Sequence, residues 1–279
     1  MKNILVPTDF SVTAQNAAMY AIKLAEQIGA PKVILFNAYQ SPMMIDPTAM
    51  VPAIQLLDEE QLKADSNKGL ERAKLILKAF CPKCCSLETY CEYGLLNNGL
   101  DEVCNKLNAD LIVMGITGGG ALQETLIGSN TLQVSKNSQT PVIIIPAGLV
   151  FKKVENVLLA SDFKQVLETT PVSSIQSLLK ATQARFHIVH IEKSAHISLT
   201  DISLESRKLD IMFKDFDPIL QLQENNNFLD GINDYVNSNQ IDILITIPKK
   251  HGILDSLFTR SHTKQIAFHS HVPVMVLHD

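Results

Sequence analysis

Apolar residues along this chain follow two rhythms that alternate. Short continuous runs, Ile4-Leu5-Val6, Val33-Ile34-Leu35-Phe36, Leu111-Ile112-Val113-Met114 and Val142-Ile143-Ile144-Ile145, read as strands buried on both faces. Between them, apolar positions recur every three or four residues, as on one face of a helix. Lys2–Pro7 is the first strand. Ser11 is placed to cap a helix whose Ala14, Ala17, Ala18, Ala21, Leu24, Ala25 and Ile28 keep helical spacing up to Gly29. Lys32–Ala38 is strand again. Beyond the proline-punctuated loop Ser41–Pro52, the spacing of Leu56, Leu57, Leu62, Leu70, Ala73 and Leu77 predicts a long helix over Ile54–Phe80. Cys85–Tyr93 alternates as a strand, Gly99–Leu107 as a helix, and Asp110–Met114, Asn130–Asn137 and Pro141–Pro146 follow as strand, helix and strand. Five strands separated by helices imply a parallel, doubly wound α/β sheet. Ligands of such sheets lie beyond the carboxyl ends of the strands, where strand order reverses. Asp9 and Gly115 are therefore expected to face one crevice.

The same pattern returns further along. Asn3-Ile4-Leu5-Val6-Pro7-Thr8-Asp9-Phe10 matches Asn156-Val157-Leu158-Leu159-Ala160-Ser161-Asp162-Phe163, and the same offset of 153 carries Val33-Ile34-Leu35-Phe36 onto Phe186-His187-Ile188-Val189. Asp110-Leu111-Ile112-Val113 then matches Asp242-Ile243-Leu244-Ile245 at an offset of 132, and the register holds through Ser129/Ser261, Thr131/Thr263, Gln133/Gln265 and Pro141-Val142/Pro273-Val274. The second copy thus lacks about 21 residues, and most of the loss is expected around Ser41–Pro52 and the start of the helix after it. The expected units are residues 1–147 and 153–279. The joint Pro146-Ala147-Gly148-Leu149-Val150-Phe151-Lys152-Lys153 is short and partly apolar, which favours two units packed together over two tethered ones. In the second copy Pro171 stands where the first has Ala18, so its first helix is expected to start late, with Thr170 capping and Pro171 at its first position.

The chemistry concentrates after the fourth strand. Gly115, Gly118 and Gly128-Ser129 form a Gly-x2-Gly-x9-Gly-Ser pattern between a strand and a helix, in a chain with only 12 glycines among 279 residues. Glycines let backbone N–H groups approach an anion, and the unpaired amides and dipole of a helix N-terminus favour negative charge. It is neither a Walker A loop nor the dinucleotide G-x-G-x-x-G. Together with the opening Ile4–Phe10, the alanine-rich helix over 12–28 and Thr140–Pro146, this pattern resembles the ATP-binding signature of the universal stress protein family, well over residues 1–146 and weakly over the second half. The resemblance implies two tandem, doubly wound parallel five-stranded sheets of the Rossmann-like, adenine-nucleotide-binding type, packed as a pseudo-dimer through Pro141–Pro146 and Pro273–Leu277. It also implies ATP as ligand, with AMP or ADP as alternatives and Mg2+ as an optional companion. Carried over by position, Pro7, Thr8 and Asp9 border adenine and ribose, Ala38 lines the base pocket, and Met114, Gly115 and Gly118 frame ribose and phosphates. Gly128, Ser129, Asn130 and Thr131 would grip the phosphates. The plainer alternative is a loop kept for its turns, with Asp9 capping a helix.

At the matching points of the second copy stand Ile247, Lys250 and Arg260, with Lys249 for Thr117, so that copy is expected to be structural. The sharper option is that Lys249, Lys250 and Arg260 hold an anion by charge. All eight histidines lie in the second half, and five of them (His251, His262, His269, His271, His278) gather near the C-terminus without a familiar zinc spacing. Cys81-Pro-Lys-Cys84-Cys85 follows a helix and enters a strand, opposite to a redox C-x-x-C, so packing is the expected role. Five cysteines, all in the first half, make no secreted disulfide framework.

Composition narrows the classes further. A chain 46% hydrophobic and 19% charged has ample core material. Residues 1–150 carry 11 Lys+Arg against 14 Asp+Glu and residues 151–279 carry 13 against 15, which leaves no basic stripe for nucleic acid or an anionic membrane. No apolar run approaches the roughly 18 residues of a membrane span, and an acid at Asp9 comes too early for a signal peptide. A cytoplasmic location is expected. No G-x-S-x-G, H-E-x-x-H or comparable catalytic constellation occurs, and the first half holds no histidine. The expectation is therefore a nucleotide-linked regulator acting through a protein partner. Slow ATP hydrolysis or self-modification at Ser129 or Thr131, a nucleotide-free scaffold, and assembly of whole chains into homodimers remain the alternatives.

Overall fold

A computed structural model of the chain describes residues 3–40, 59–82, 85–96, 99–116, 128–192, 199–248 and 271–278, with the side chains of 199–203 excepted. The first half runs β1 (Asn3–Pro7), α1 (Val12–Ile28), β2 (Lys32–Tyr39), α2 (Glu59–Leu77), β3 (Ser86–Tyr93), α3 (Leu100–Leu107), β4 (Ala109–Gly115), α4 (Ser129–Asn137) and β5 (Val142–Ile145). The second runs β6 (Asn156–Ala160), α5 (Val166–Thr169), α6 (Val172–Thr182), β7 (Arg185–Glu192), α7 (Leu199–Met212), β8 (Ile219–Glu224), α8 (Phe228–Ser238), β9 (Ile243–Thr246) and β10 (Val274–Val276).

All ten strands form one sheet in the order β3-β2-β1-β4-β5-β10-β9-β6-β7-β8. The expected pair of five-stranded sheets is thus joined edge to edge. Within each half every pairing is parallel, and the halves meet where β10 runs antiparallel to β5, with Met275 opposite Ile143. One face of the sheet is covered by α1, α2, α6 and α7, the other by α3, α4 and α8, and each apolar layer runs without a break through both halves. The seam is core: Ile143 and Met275 are both 0% exposed.

Local sequence explains the elements. Ser11 caps α1 as its position predicts, its Oγ accepting the Ala14 N–H at 3.2 Å, and Gly29 closes the helix at φ 67, a left-handed value that favours glycine. The long helix is shorter than its apolar spacing suggests: α2 ends at Leu77 and a single 3-10 turn, Lys78–Phe80, completes it, while residues 54–58 lie outside the described set. The missing stretch of the second half falls where the repeat places it, since residues 40–58 separate β2 from α2 but only 193–198 separate β7 from α7. The late start of that half's first long helix also holds. The cap is Pro171 itself, however, with no side-chain bond from Thr170, and a single helical turn, α5, precedes it.

The linker lies along α1 rather than swinging free. Asn16 Nδ2 donates to the Pro146 carbonyl at 3.3 Å, Tyr20 meets the Phe151 ring edge-on at 5.0 Å, and Gln27 both donates to the Val154 carbonyl (2.9 Å) and accepts the Val154 N–H (2.8 Å). These residues share one face of α1, and Leu149 and Phe151 of the linker pack against the core while Val150 stays exposed.

Candidate functional site

Strand order reverses between β1 and β4, so the residues following those strands share a crevice. After β1, the buried Pro7 leads to Thr8, whose N–H donates to the Phe36 carbonyl at 2.8 Å and whose carbonyl accepts Asn37 Nδ2 at 2.7 Å. The chain then turns sharply. The Phe10 N–H donates to Thr8 Oγ1 and the Ser11 N–H to Asp9 Oδ1, each at 3.0 Å, and Phe10 takes φ 65. The exposed Asp9 carboxylate thus braces the residue that caps α1 and does not cap the helix itself, unlike the plainer reading of Asp9, because Ser11 holds the cap position.

At the end of β4 three elements converge on Gly115. A Cβ there would lie 2.7 Å from the Thr13 carbonyl oxygen of α1, and the Gly115 carbonyl accepts the Thr131 hydroxyl of α4 at 2.9 Å. Met114 is buried among core residues, so only its backbone can face the crevice. Thr131 is buried too, its hydroxyl turned inward, which leaves its amide as the group offered outward. The Gly128 N–H donates to the Ile116 carbonyl at 2.8 Å, pinning together the two ends of the segment 117–127. Gly118 falls in that segment, outside the described residues, as do Thr117, Lys249, Lys250, Arg260, Cys84, His251, His262 and His269.

Among the described residues the N-terminus of α4 has no side-chain cap. Its first backbone bond is Leu132 N–H to the Gly128 carbonyl at 2.9 Å, so the amides of Ser129, Asn130 and Thr131 precede the hydrogen-bonded ladder. Ser129 and Asn130 are exposed there. Ala38, half-buried near the end of β2, completes the rim with a small side chain.

The second half repeats the turn but fills the crevice. Phe163 takes φ 50, its N–H donating to Ser161 Oγ at 3.2 Å, and Asp162 Oδ1 accepts the Lys164 N–H at 3.1 Å. Lys164 stands where Ser11 caps α1, and no comparable cap follows. Ile191 replaces Ala38 and Ile247 replaces Gly115, both buried, and α8 packs so closely that a Cβ on Gly231 would be 2.9 Å from Ile191. His190, at the register of Asn37, lies between the Ser161 carbonyl (2.8 Å) and Glu192 Oε2 (2.7 Å) and stacks on Phe163.

Among the described residues no group of three or more His, Cys, Asp or Glu gathers as a metal site, and no helix is long and apolar enough to cross a membrane. His278 Nε2 meets the Ser135 carbonyl at 2.8 Å across the seam. Cys85 and Cys104 are buried, and burial pushes the Cys104 thiol up to about 11, which keeps it protonated and inert. His187 replaces Ile34. It is buried with Nδ1 3.0 Å from Tyr235 Oη, and its Nε2 has no partner among the described residues. Burial, aided by the charge of Arg185, holds this imidazole below its ordinary value of 6.5. Its neutral form belongs to the fold, so stability is fully present above pH 6.5 and declines as the pH falls below it, because the unfolded chain then binds the proton more readily. Urea midpoints taken from neutral pH down to about pH 5 should show this decline, and His187→Ile should flatten it. An equally steep decline in the variant would assign the acid sensitivity elsewhere.

Comparison with known proteins is consistent with this geometry. Residues 1–146 match the model of the Universal stress protein family. A universal stress protein of Methanocaldococcus jannaschii is 31% identical over 144 residues, 52% of this chain and 81% of that protein. One from Synechocystis is 29% identical over 145 residues, 52% of this chain and 85% of its own length. The crystal structure of a universal stress protein from Archaeoglobus fulgidus superposes with a TM-score of 0.71, covering 99% of this chain and 98% of that one at 16% identity, a likeness of fold alone.

Proposed function

The chain belongs to the universal stress protein family, and from that premise we propose that it is an ATP-binding regulator with one competent half. Residues 1–147 form the nucleotide-binding unit and residues 153–279 a structural partner. The observation that carries the proposal is the uncapped N-terminus of α4 beside Gly115, at the point where strand order reverses. The amides of Ser129, Asn130 and Thr131, with Gly115, Gly118 and Gly128, would receive the phosphates. Pro7, Thr8 and Asp9 would border adenine and ribose, the Asp9 carboxylate accepting from ribose hydroxyls or the adenine amino group. Ala38 leaves room for the base, and Met114 contributes its backbone.

The residues present fit an anion held by main-chain donors, and the small side chain of Ala38 fits a flat base beside them. The absence of histidine from the first half favours binding over turnover. ATP binding would order the segment between Gly115 and Asn130 and bias a surface read by a protein partner in the stress response. The cheapest test is intact-complex mass spectrometry of freshly purified chain, followed by calorimetric titration with ATP and AMP. One adenine nucleotide per chain is expected. Neither co-purified nucleotide nor heat of binding up to about millimolar ligand would rule the proposal out.

A further inference from the structure

Helix α2 reaches the turn after β1 at two points. Ser66, only 5% exposed, donates its hydroxyl to Asn37 Oδ1 at 2.7 Å. The Thr8 carbonyl can only accept, so Nδ2 is the end of the carboxamide that meets it, also at 2.7 Å, and Oδ1 is left to accept from Ser66. One helical turn on, Gly69 lies against Phe10: a Cβ there would stand 2.6 Å from Phe10 Cζ. Phe10 holds φ 65, which a non-glycine residue keeps only where its surroundings impose it. The two contacts therefore grip the turn from opposite ends, its first carbonyl through Asn37 and its strained residue through the ring.

The second half supplies an internal comparison. There the turn persists, and β7 supports it: His190 bonds the Ser161 carbonyl, Glu192 of the same strand takes the other ring nitrogen, and Phe163 stacks on the imidazole. The bond that α7 makes toward this region goes instead to α5, with Glu205 Oε2 accepting the Val166 N–H at 2.9 Å.

We propose that Ser66 and Gly69 are positioning residues of the nucleotide site, acting through Asn37 and the Phe10 ring on the turn Thr8–Ser11, so that α2 sets nucleotide affinity without touching the nucleotide. The effect on affinity rests on the reading given above; the effect on the turn does not. A side chain at position 69 need not unfold α2, because a cleft of about 510 Å³ lined by Gln15, Asp65, Lys68 and Arg72 opens beside the ring and can receive it.

The test uses the full chain and ATP in calorimetry. Asn37→Asp keeps the acceptor for Ser66 but loses the donor to Thr8, and should weaken ATP binding about tenfold, as should Ser66→Ala. Gly69→Val should weaken it comparably, whereas in a Phe10→Gly background, where no ring is present and φ 65 costs little, the same change should alter affinity by less than about threefold. Wild-type affinity in Asn37→Asp, or an undiminished loss from Gly69→Val in the Phe10→Gly background, would overturn the assignment. Should the wild-type chain bind no nucleotide, the preceding reading falls, and hydrogen exchange of the Phe10 and Ser11 amides decides the positioning role. Exchange about tenfold faster in Asn37→Asp, Ser66→Ala and Gly69→Val supports it, and unchanged exchange refutes it.

Discussion

Replacing Gly128 with valine is expected to weaken ATP binding by at least about a hundredfold while costing the fold no more than about 1 kcal/mol. Gly128 sits at φ -57 and ψ 142, values open to any residue, so backbone strain does not dictate its identity. A branched side chain there would stand over the amides of Ser129 and Asn130 and keep a phosphate from them. Gly115 makes the contrast. Its missing Cβ is required by the Thr13 carbonyl, 2.7 Å away and part of the backbone, so Gly115→Ala should cost about 2 kcal/mol of stability whether or not ligand is present. Titration calorimetry and urea unfolding of the two variants separate a glycine kept for a ligand from one kept for packing. If Gly128→Val bound ATP normally, the α4 N-terminus would not be the phosphate site.

Met275→Ala should remove about 3 kcal/mol and lower the stability of both halves together. Met275 is wholly buried opposite Ile143 at the seam, and the core layer that contains both continues from Ile4 to Leu277. A layer without a break predicts one cooperative transition, followed equally by probes in either half. Two separated transitions in the urea curve of the variant would show that the halves hold their folds independently.

Much of the architecture was legible because the central strands carry unbroken apolar runs and the repeat doubles most inferences. The Pro141–Pro146 and Pro273–Leu277 segments pair as the family resemblance implied. The end of α2 was less legible: Lys78-Ala79-Phe80 keeps helix-forming residues, and only the tighter turn in three dimensions marks the change. The position of Asp9 was readable; its bond to the Ser11 amide was not, because an Asx turn and a ligand-facing carboxylate look alike in sequence. Asn37 and Ser66 were missed. A signal for Asn37 existed, since the repeat sets it opposite His190, a second polar residue at the same register of a strand. Ser66 had none, for a serine within a helix is commonly exposed.

Because β10 runs against β5, the two halves are turned end for end. The tips of β1 and β4 emerge at one rim of the sheet, and those of β6 and β9 at the opposite rim. A symmetric pair of such units would offer equivalent mouths at both rims, but here Gly115 marks one and the buried Ile247 the other. The molecule is therefore polar along its strands. If one nucleotide binds per chain as proposed, its occupancy at the rim marked by Gly115 should follow a simple hyperbola without cooperativity.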